Sequence, residues 1–95
     1  MDIKAIETHY NGYRFRSRLE ARWSIFFDML GIAWMYEYQG FDLPDGSRYL
    51  PDFYLPELDL WFEVKGAFPD RKDQEKFIQF TKSDTSKILF VSYHD

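Results

Sequence analysis

The sequence predicts a mixed α/β domain, an α+β arrangement whose centre is a four-stranded mixed sheet. Two segments repeat apolar residues at helical spacing, four short runs are rich in branched and aromatic residues, and turn-forming residues separate them. The 95 residues suit one small domain, and a 45% hydrophobic and 21% aromatic content supplies a core. Cysteine is absent, so neither a disulfide framework nor a thiolate metal site is expected.

The first 16 residues are predicted to form an N-terminal arm, which the first helix follows. Asn11-Gly12 lies between aromatic residues and predicts a hairpin turn, because both residues accept positive φ. The helix is predicted to begin at Ser17, to run to about Leu30 and to stop at Gly31. Its apolar stripe consists of Leu19, Trp23, Phe26, Phe27 and Leu30.

Three strands are predicted after this helix, over residues 32–38, 48–55 and 58–65. A turn at residues 44–47 separates the first two of them. Pro51 requires an edge, a bulge or a bend in the second strand, because proline cannot donate to the sheet. The short connections allow these three strands to form an antiparallel meander.

A second helix and a fourth strand complete the predicted domain. The helix is expected over residues 70–82, with Phe77, Ile78 and Phe80 on its buried side. The strand is expected over residues 87–93 and returns to the sheet by a crossover through the helix. Residues 17–95 would therefore form the core domain.

Three charged residues interrupt the apolar strands, namely Asp52, Glu63 and Lys65. Charges are costly in such positions unless they are paired or bind a metal. Ten residues separate Asp52 from Glu63, and strand periodicity places Glu63 and Lys65 on one face, about 6–7 Å apart. Two carboxylates, with the backbone carbonyl of Val64, are oxygen ligands that suit Mg²⁺ or Mn²⁺. A lysine beside them can offset their repulsion and orient a water molecule.

Each of these features also has an ordinary structural interpretation. Ser17 and Glu20 have the spacing of a capping box, in which Glu20 caps its own helix instead of reaching a metal. Asp52 follows a proline and is compatible with a turn. Glu63 and Lys65 are compatible with the solvated face of a half-exposed strand.

The distribution of charge limits the kinds of partner. A net charge of −4 argues against a protein that coats nucleic acid by overall basic charge. Four arginines nevertheless fall within nine positions, where they suit either a solvated surface or contact with a phosphate backbone. These are Arg14, Arg16, Arg18 and Arg22. Neither a signal peptide nor a membrane-spanning apolar run is recognisable, so a cytoplasmic protein is expected.

Together these residues resemble the PD-(D/E)XK nuclease superfamily. The match is densest over residues 15–23, 49–53 and 62–66. It is similar to the small phage-type, resolvase-like endonucleases that carry a glutamate on the first helix. The resemblance implies a restriction-endonuclease-like αβββαβ core without an accessory DNA-binding domain, and a phage or bacterial origin.

The resemblance also implies roles for individual residues. Asp52 and Glu63 would bind Mg²⁺ or Mn²⁺, Lys65 would be the catalytic lysine, and Glu20 would complete the site from the first helix. Gln74 is the nearest counterpart of a glutamine that some members carry on the second helix.

The implied function is hydrolysis of DNA phosphodiester bonds by a metal-dependent endonuclease. The substrates would include branched, recombination or repair DNA, and the enzyme would act as a homodimer or within a larger assembly. Two alternatives stay open. One is a non-catalytic module on a nuclease core that binds nucleic acid or protein, and the other is a nuclease subunit that needs a partner protein.

Overall fold

The computed structural model describes residues 8–83 and 87–94, which belong to two units divided after Ile32. In chain order the elements are β1 (Thr8–Tyr10), β2 (Tyr13–Phe15), α1 (Arg18–Leu30), β3 (Met35–Tyr36), β4 (Phe41–Asp42), β5 (Arg48–Tyr49), β6 (Phe53–Leu55), β7 (Leu60–Lys65), α2 (Arg71–Ser83) and β8 (Leu89–Tyr93). Across these described ranges, neither helix has the length and apolar character needed to cross a membrane.

The first unit contains a hairpin, which confirms the predicted turn. Strands β1 and β2 pair antiparallel, with His9 opposite Arg14. Asn11 and Gly12 join them with φ values of 51° and 81°, in the left-handed region that a two-residue hairpin turn requires.

Helix α1 has the predicted beginning and end. The Glu20 N–H donates to the Ser17 hydroxyl at 3.1 Å, which satisfies one of the unpaired donors of the first turn. Gly31 has a φ of 71° and donates its N–H to the Asp28 carbonyl, so it closes the last turn in a conformation that favours glycine.

The second unit contains the predicted four-stranded mixed sheet, in the order β3-β6-β7-β8. Strands β3, β6 and β7 are successively antiparallel, whereas β8 pairs parallel to β7. Helix α2 lies between β7 and β8 in the chain, so it provides the crossover that a parallel neighbour needs. The mixed α/β class and the antiparallel meander are therefore confirmed.

All four predicted strands are shorter or interrupted, and the fourth, expected from residue 87, begins at Leu89. Of residues 32–38, only Met35–Tyr36 form a strand, and the strand ends there because Glu37 adopts a φ of 48° that a regular ladder does not accommodate. The predicted strand 48–55 is divided into β5 and β6, and the break includes Pro51, which has no N–H to donate. Strand β5 pairs with β4, a strand that the sequence did not predict.

The predicted strand 58–65 begins two residues late, at Leu60. Residues 56–59 form the tight connection from β6, and Asp59 at its end has a φ of 48°. From Trp61 to Val64 every residue of β7 is buried, as expected for a central strand with both faces covered.

Helix α2 contributes Phe80 to the core of the second unit. Phe80 is 1% exposed and clusters with Leu43, Tyr49 and Trp61, while Phe77 packs against the same cluster. The prediction that Ile78 is buried was wrong, since half of it is exposed. Phe77 and Phe80 lie three residues apart on one helical face, and the turn of about 100° per residue carries Ile78 away from it.

Candidate functional site

The candidate site begins where the pairing between β6 and β7 ends. The last pair of this antiparallel ladder is Phe53 with Phe62. If the ladder continued for two more residues, Pro51 would lie opposite Val64. The chain leaves the ladder there, and the Asp52 carboxylate takes the place of a backbone acceptor. The Val64 N–H donates to Asp52 Oδ2 at 2.7 Å. Asp52 is therefore held by the sheet itself and does more than form a turn.

Glu63 makes the reciprocal contact. Its Oε1 accepts the Asp52 N–H at 3.3 Å and the Tyr49 hydroxyl at 2.8 Å. Glu63 is 8% exposed, so the interpretation as a solvated strand face is wrong for this residue. The Glu63 carboxylate thus contacts the backbone of residue 52, and the Asp52 carboxylate contacts the backbone of residue 64. Each of the two predicted carboxylates therefore lies at the residue that carries the other or directly beside it.

The backbone of Asp52 is fixed on its other side as well. The Asp52 carbonyl accepts the Glu37 N–H at 2.9 Å, at the end of the short β3–β6 pairing. The N–H and the side chain of Asp52 are therefore bonded to β7, and its carbonyl is bonded to Glu37. Such bonds set the direction of a carboxylate before any ligand arrives.

Tyr49 belongs to this site and was missed from the sequence. Burial and the negative charge of Glu63 raise the pKa of its phenol well above the ordinary value, so Tyr49 remains a hydrogen-bond donor. A buried tyrosine hydroxyl needs a polar partner, which was a usable signal. The sequence did not indicate that Glu63, fourteen residues later, is that partner.

Lys65 lies two residues beyond Glu63 on β7 and forms an ion pair with helix α2. Its Nζ is 3.2 Å from Asp73 Oδ1, and the two side chains are 29% and 26% exposed. Asp73 lies in the first turn of α2 and was also missed from the sequence. This pair is more protected than a typical surface ion pair, because about three quarters of each side chain is covered.

The Val64 carbonyl is directed toward the same edge of β7 as Asp52. The N–H of Trp61 and the carbonyl of Lys65 bond toward β8, at Ile88 and His94. Backbone groups alternate between the two edges of a strand, so those of Val64 are directed toward β6. This agrees with the bond from the Val64 N–H to Asp52.

The donor set fits a hard divalent cation. It comprises two carboxylates oriented by hydrogen bonds, and one backbone carbonyl at the same edge. Within residues 8–83 and 87–94, no group of three or more His, Cys, Asp or Glu side chains is arranged to hold a metal. Mg²⁺ is commonly held by one or two carboxylates with water completing its shell, so two acidic residues suffice.

Glu20 belongs to the first unit and makes the contacts of a helix cap. The Ser17 hydroxyl donates to Glu20 Oε1 at 2.8 Å, in addition to accepting the Glu20 N–H. Glu20 is 7% exposed. The capping interpretation therefore has direct geometric support, and a catalytic role for Glu20 stays a prediction.

The remaining predicted residues lie on the surface. All four predicted arginines are exposed, one on β2, one in the link to α1 and two on α1. The Gln74 side-chain amide donates to the Pro69 carbonyl at 2.9 Å, so Gln74 helps to begin its own helix. These positions are compatible with phosphate contact by the arginines and give Gln74 a structural use.

Comparison of the chain with protein-family models, with curated proteins and with solved structures found no match in any of the three.

Proposed function

We propose that this protein is a Mg²⁺- or Mn²⁺-dependent endonuclease that hydrolyses DNA phosphodiester bonds. One observation carries the proposal: Asp52 and Glu63 each bond to the backbone beside the other carboxylate, and Lys65 follows two residues later on the same strand. The proposal includes a restriction-endonuclease-like core. The two helices and the strands of the four-stranded sheet support it, because they follow one another in the chain as α1, β3, β6, β7, α2 and β8, which is the αβββαβ pattern.

The residues of the chain divide the chemistry among them. When bound, the divalent ion supplies Lewis-acid stabilisation of phosphoryl charge and lowers the pKa of a bound water. Asp52 and Glu63 hold that ion, while Tyr49 and the backbone of β7 orient their oxygens. Lys65 orients the attacking water and offsets the charge of the carboxylates.

The partner and the setting follow from the same proposal. The exposed arginines of the first unit would contact the phosphate backbone, which supplies affinity without reading sequence. One site cuts one strand, so cleavage of both strands or of branched recombination and repair DNA requires a homodimer or a larger assembly. We place this activity in the cytoplasm of a bacterial or phage-infected cell.

The direct test is nicking of supercoiled plasmid by the purified protein with Mg²⁺ or with Mn²⁺. We expect the nicked form to accumulate with either ion and to be absent when EDTA is present. A branched DNA substrate assayed in parallel establishes whether junctions are preferred. Absence of nicking with both ions on both substrates would contradict an independently active nuclease.

A substitution at Glu20 separates its capping and catalytic roles. Glu20→Gln retains an oxygen for the Ser17 hydroxyl but removes the charge, so we expect at least tenfold slower nicking with little change in melting temperature. Ser17→Ala is the matched control, because it removes the cap and leaves the carboxylate. It should lower stability by about 0.5–2 kcal/mol and nick normally. Normal nicking by Glu20→Gln would leave Glu20 with the capping role alone.

A binding module that does not cleave is the second candidate, and one observation favours it. The Lys65 ammonium is paired with Asp73, an arrangement that a purely structural lysine would keep. Calorimetric titration with Mn²⁺ separates the two functions, because a nuclease should bind the ion and should lose that binding in Asp52→Asn. Metal uptake that is unchanged in Asp52→Asn would favour the binding module.

A further inference from the structure

One face of strand β7 meets one face of helix α2 directly at two levels, and Tyr49 joins the two faces at the level between them. Residues 61, 63 and 65 share a strand face, because side chains alternate along a strand. Residues 73, 77 and 80 share a helix face, because they are spaced by four and three. Two residues of a strand rise about 6–7 Å and three or four residues of a helix rise about 4.5–6 Å, so successive levels of the strand can lie near successive levels of the helix.

The contacts follow that order from core to surface. At the first level the rings of Trp61 and Phe80 are 6.1 Å apart. At the second level Phe77 lies 5.9 Å from the ring of Tyr49, whose hydroxyl binds Glu63. The third level is the 3.2 Å ion pair between Lys65 and Asp73. The ion pair therefore continues the packing that holds Glu63 and is not an isolated surface contact.

The Asp73 carboxylate is itself fixed by the beginning of helix α2. Its Oδ2 accepts the Asp70 N–H at 3.3 Å, while the Asp73 N–H donates to Asp70 Oδ1 at 2.8 Å. This is the reciprocal arrangement of a capping box. One oxygen of Asp73 thus serves the helix and the other serves Lys65. A lysine side chain is long and flexible, so a fixed carboxylate restricts where its ammonium lies.

We propose that Asp73 is a positioning residue, which holds the Lys65 ammonium beside Glu63 in the geometry that hydrolysis needs. The proposal rests on the proposed nuclease function. Asp73 acts through Lys65, and the packing of α2 on β7 through Phe77 and Phe80 sets the height of Asp73 along the strand. The sequence link is short, since only residues 66–70 separate the two elements.

Three variants test this role while controlling for the helix cap. Asp73→Asn keeps an oxygen for the Asp70 N–H but removes the charge that pairs with Lys65. Asp73→Glu restores the charge. Asp70→Ala breaks the other half of the capping box and leaves the Lys65–Asp73 pair in place. Folding is followed by the melting temperature of each variant.

We expect Asp73→Asn to lower kcat at least tenfold with KM changed less than about twofold, because a misplaced reacting group affects the chemical step more than binding. Asp73→Glu should recover part of kcat. Asp70→Ala should lower the melting temperature and retain kcat. A wild-type kcat in Asp73→Asn, or an equal loss of kcat in Asp70→Ala, would overturn the positioning role.

A second readout does not depend on cleavage. We expect the Lys65 ammonium protons to exchange slowly enough to give a nitrogen-correlated NMR signal in the wild type, and to lose it in Asp73→Asn. If the wild type does not cleave DNA but shows this difference, the proposed function fails and the pairing of Lys65 with Asp73 stands. If the signal is the same in both proteins, Asp73 does not hold Lys65 and the positioning role fails, whatever the activity.

Discussion

Asp52→Asn, Glu63→Gln and Lys65→Met are each expected to slow metal-dependent nicking by at least about 100-fold, because each removes a charge on which the chemistry depends. The two amide substitutions keep the shape of the carboxylates, so position 52 still offers an oxygen to the Val64 N–H and position 63 still offers one to the Tyr49 hydroxyl. The measurement is the single-turnover nicking rate, with the thermal melt of each variant as a check of folding.

Two exposed aspartates of the same unit are matched controls. Asp42 pairs with Arg48 on the surface, and Asp59 accepts the Tyr54 hydroxyl. Asp42→Asn and Asp59→Asn carry the same chemical change as Asp52→Asn, and their nicking rates should stay within about twofold of wild type, because exposed charge contacts contribute little. Wild-type nicking by Asp52→Asn would remove Asp52 from the site.

Phe80→Ala is expected to produce the largest loss of stability. Phe80 is 1% exposed, and its ring lies 5.0 Å from that of Phe41 and 5.1 Å from that of Tyr49. Removing such a side chain costs about 3–5 kcal/mol, since the transfer free energy is lost and a cavity remains. The free energy of unfolding of a native protein is only about 5–15 kcal/mol. Much of the variant should therefore unfold at modest urea concentration. Equilibrium urea unfolding measures the difference in free energy of unfolding between Phe80→Ala and the wild type.

Ile78→Ala is the control for the orientation of helix α2. Ile78 lies two residues from Phe80 on the same helix but is half exposed, so its truncation should cost less than about 1 kcal/mol. Both variants replace an apolar side chain with alanine in one helix, and neither changes the length or the charge of that helix. An equal loss of stability in the two variants would contradict the face of α2 that the structure buries.

The elements that the sequence predicted correctly depend on local chemistry. The hairpin at Asn11-Gly12 and the end of α1 at Gly31 follow from residues that accept positive φ. Helix α1 begins where Ser17 can cap it. Pro51 indicated that the predicted strand 48–55 would be interrupted or bent. The pairing of β5 with β4 was not predicted, because pairing depends on residues elsewhere in the chain.

The carboxylates of the site were predictable and the groups that orient them were not. Asp52 and Glu63 were noticeable as charges inside apolar runs, which is a property of the sequence alone. Asp73 carries no such signal, since an aspartate in the first turn of a helix is ordinary. The hydroxyl of Tyr49 indicates that a polar partner is needed, but it does not indicate which residue that partner is. The role of Asp73 arises from the packing of α2 against β7, and the role of Tyr49 arises from the fold that brings β5 beside Glu63 of β7.

The bonds that join Asp52 to Glu63 and to Val64 have a consequence for how the chain folds. The two residues are eleven positions apart, whereas the pairing of Glu63 with Val91 in β8 spans 28 positions (from 63 to 91). Closing the shorter loop costs about 0.8 kcal/mol less in chain entropy. The contacts that align the two carboxylates are therefore more local in sequence than the pairing of β7 with β8. We expect them to form earlier in folding than the pairing of β8, because local contacts form faster.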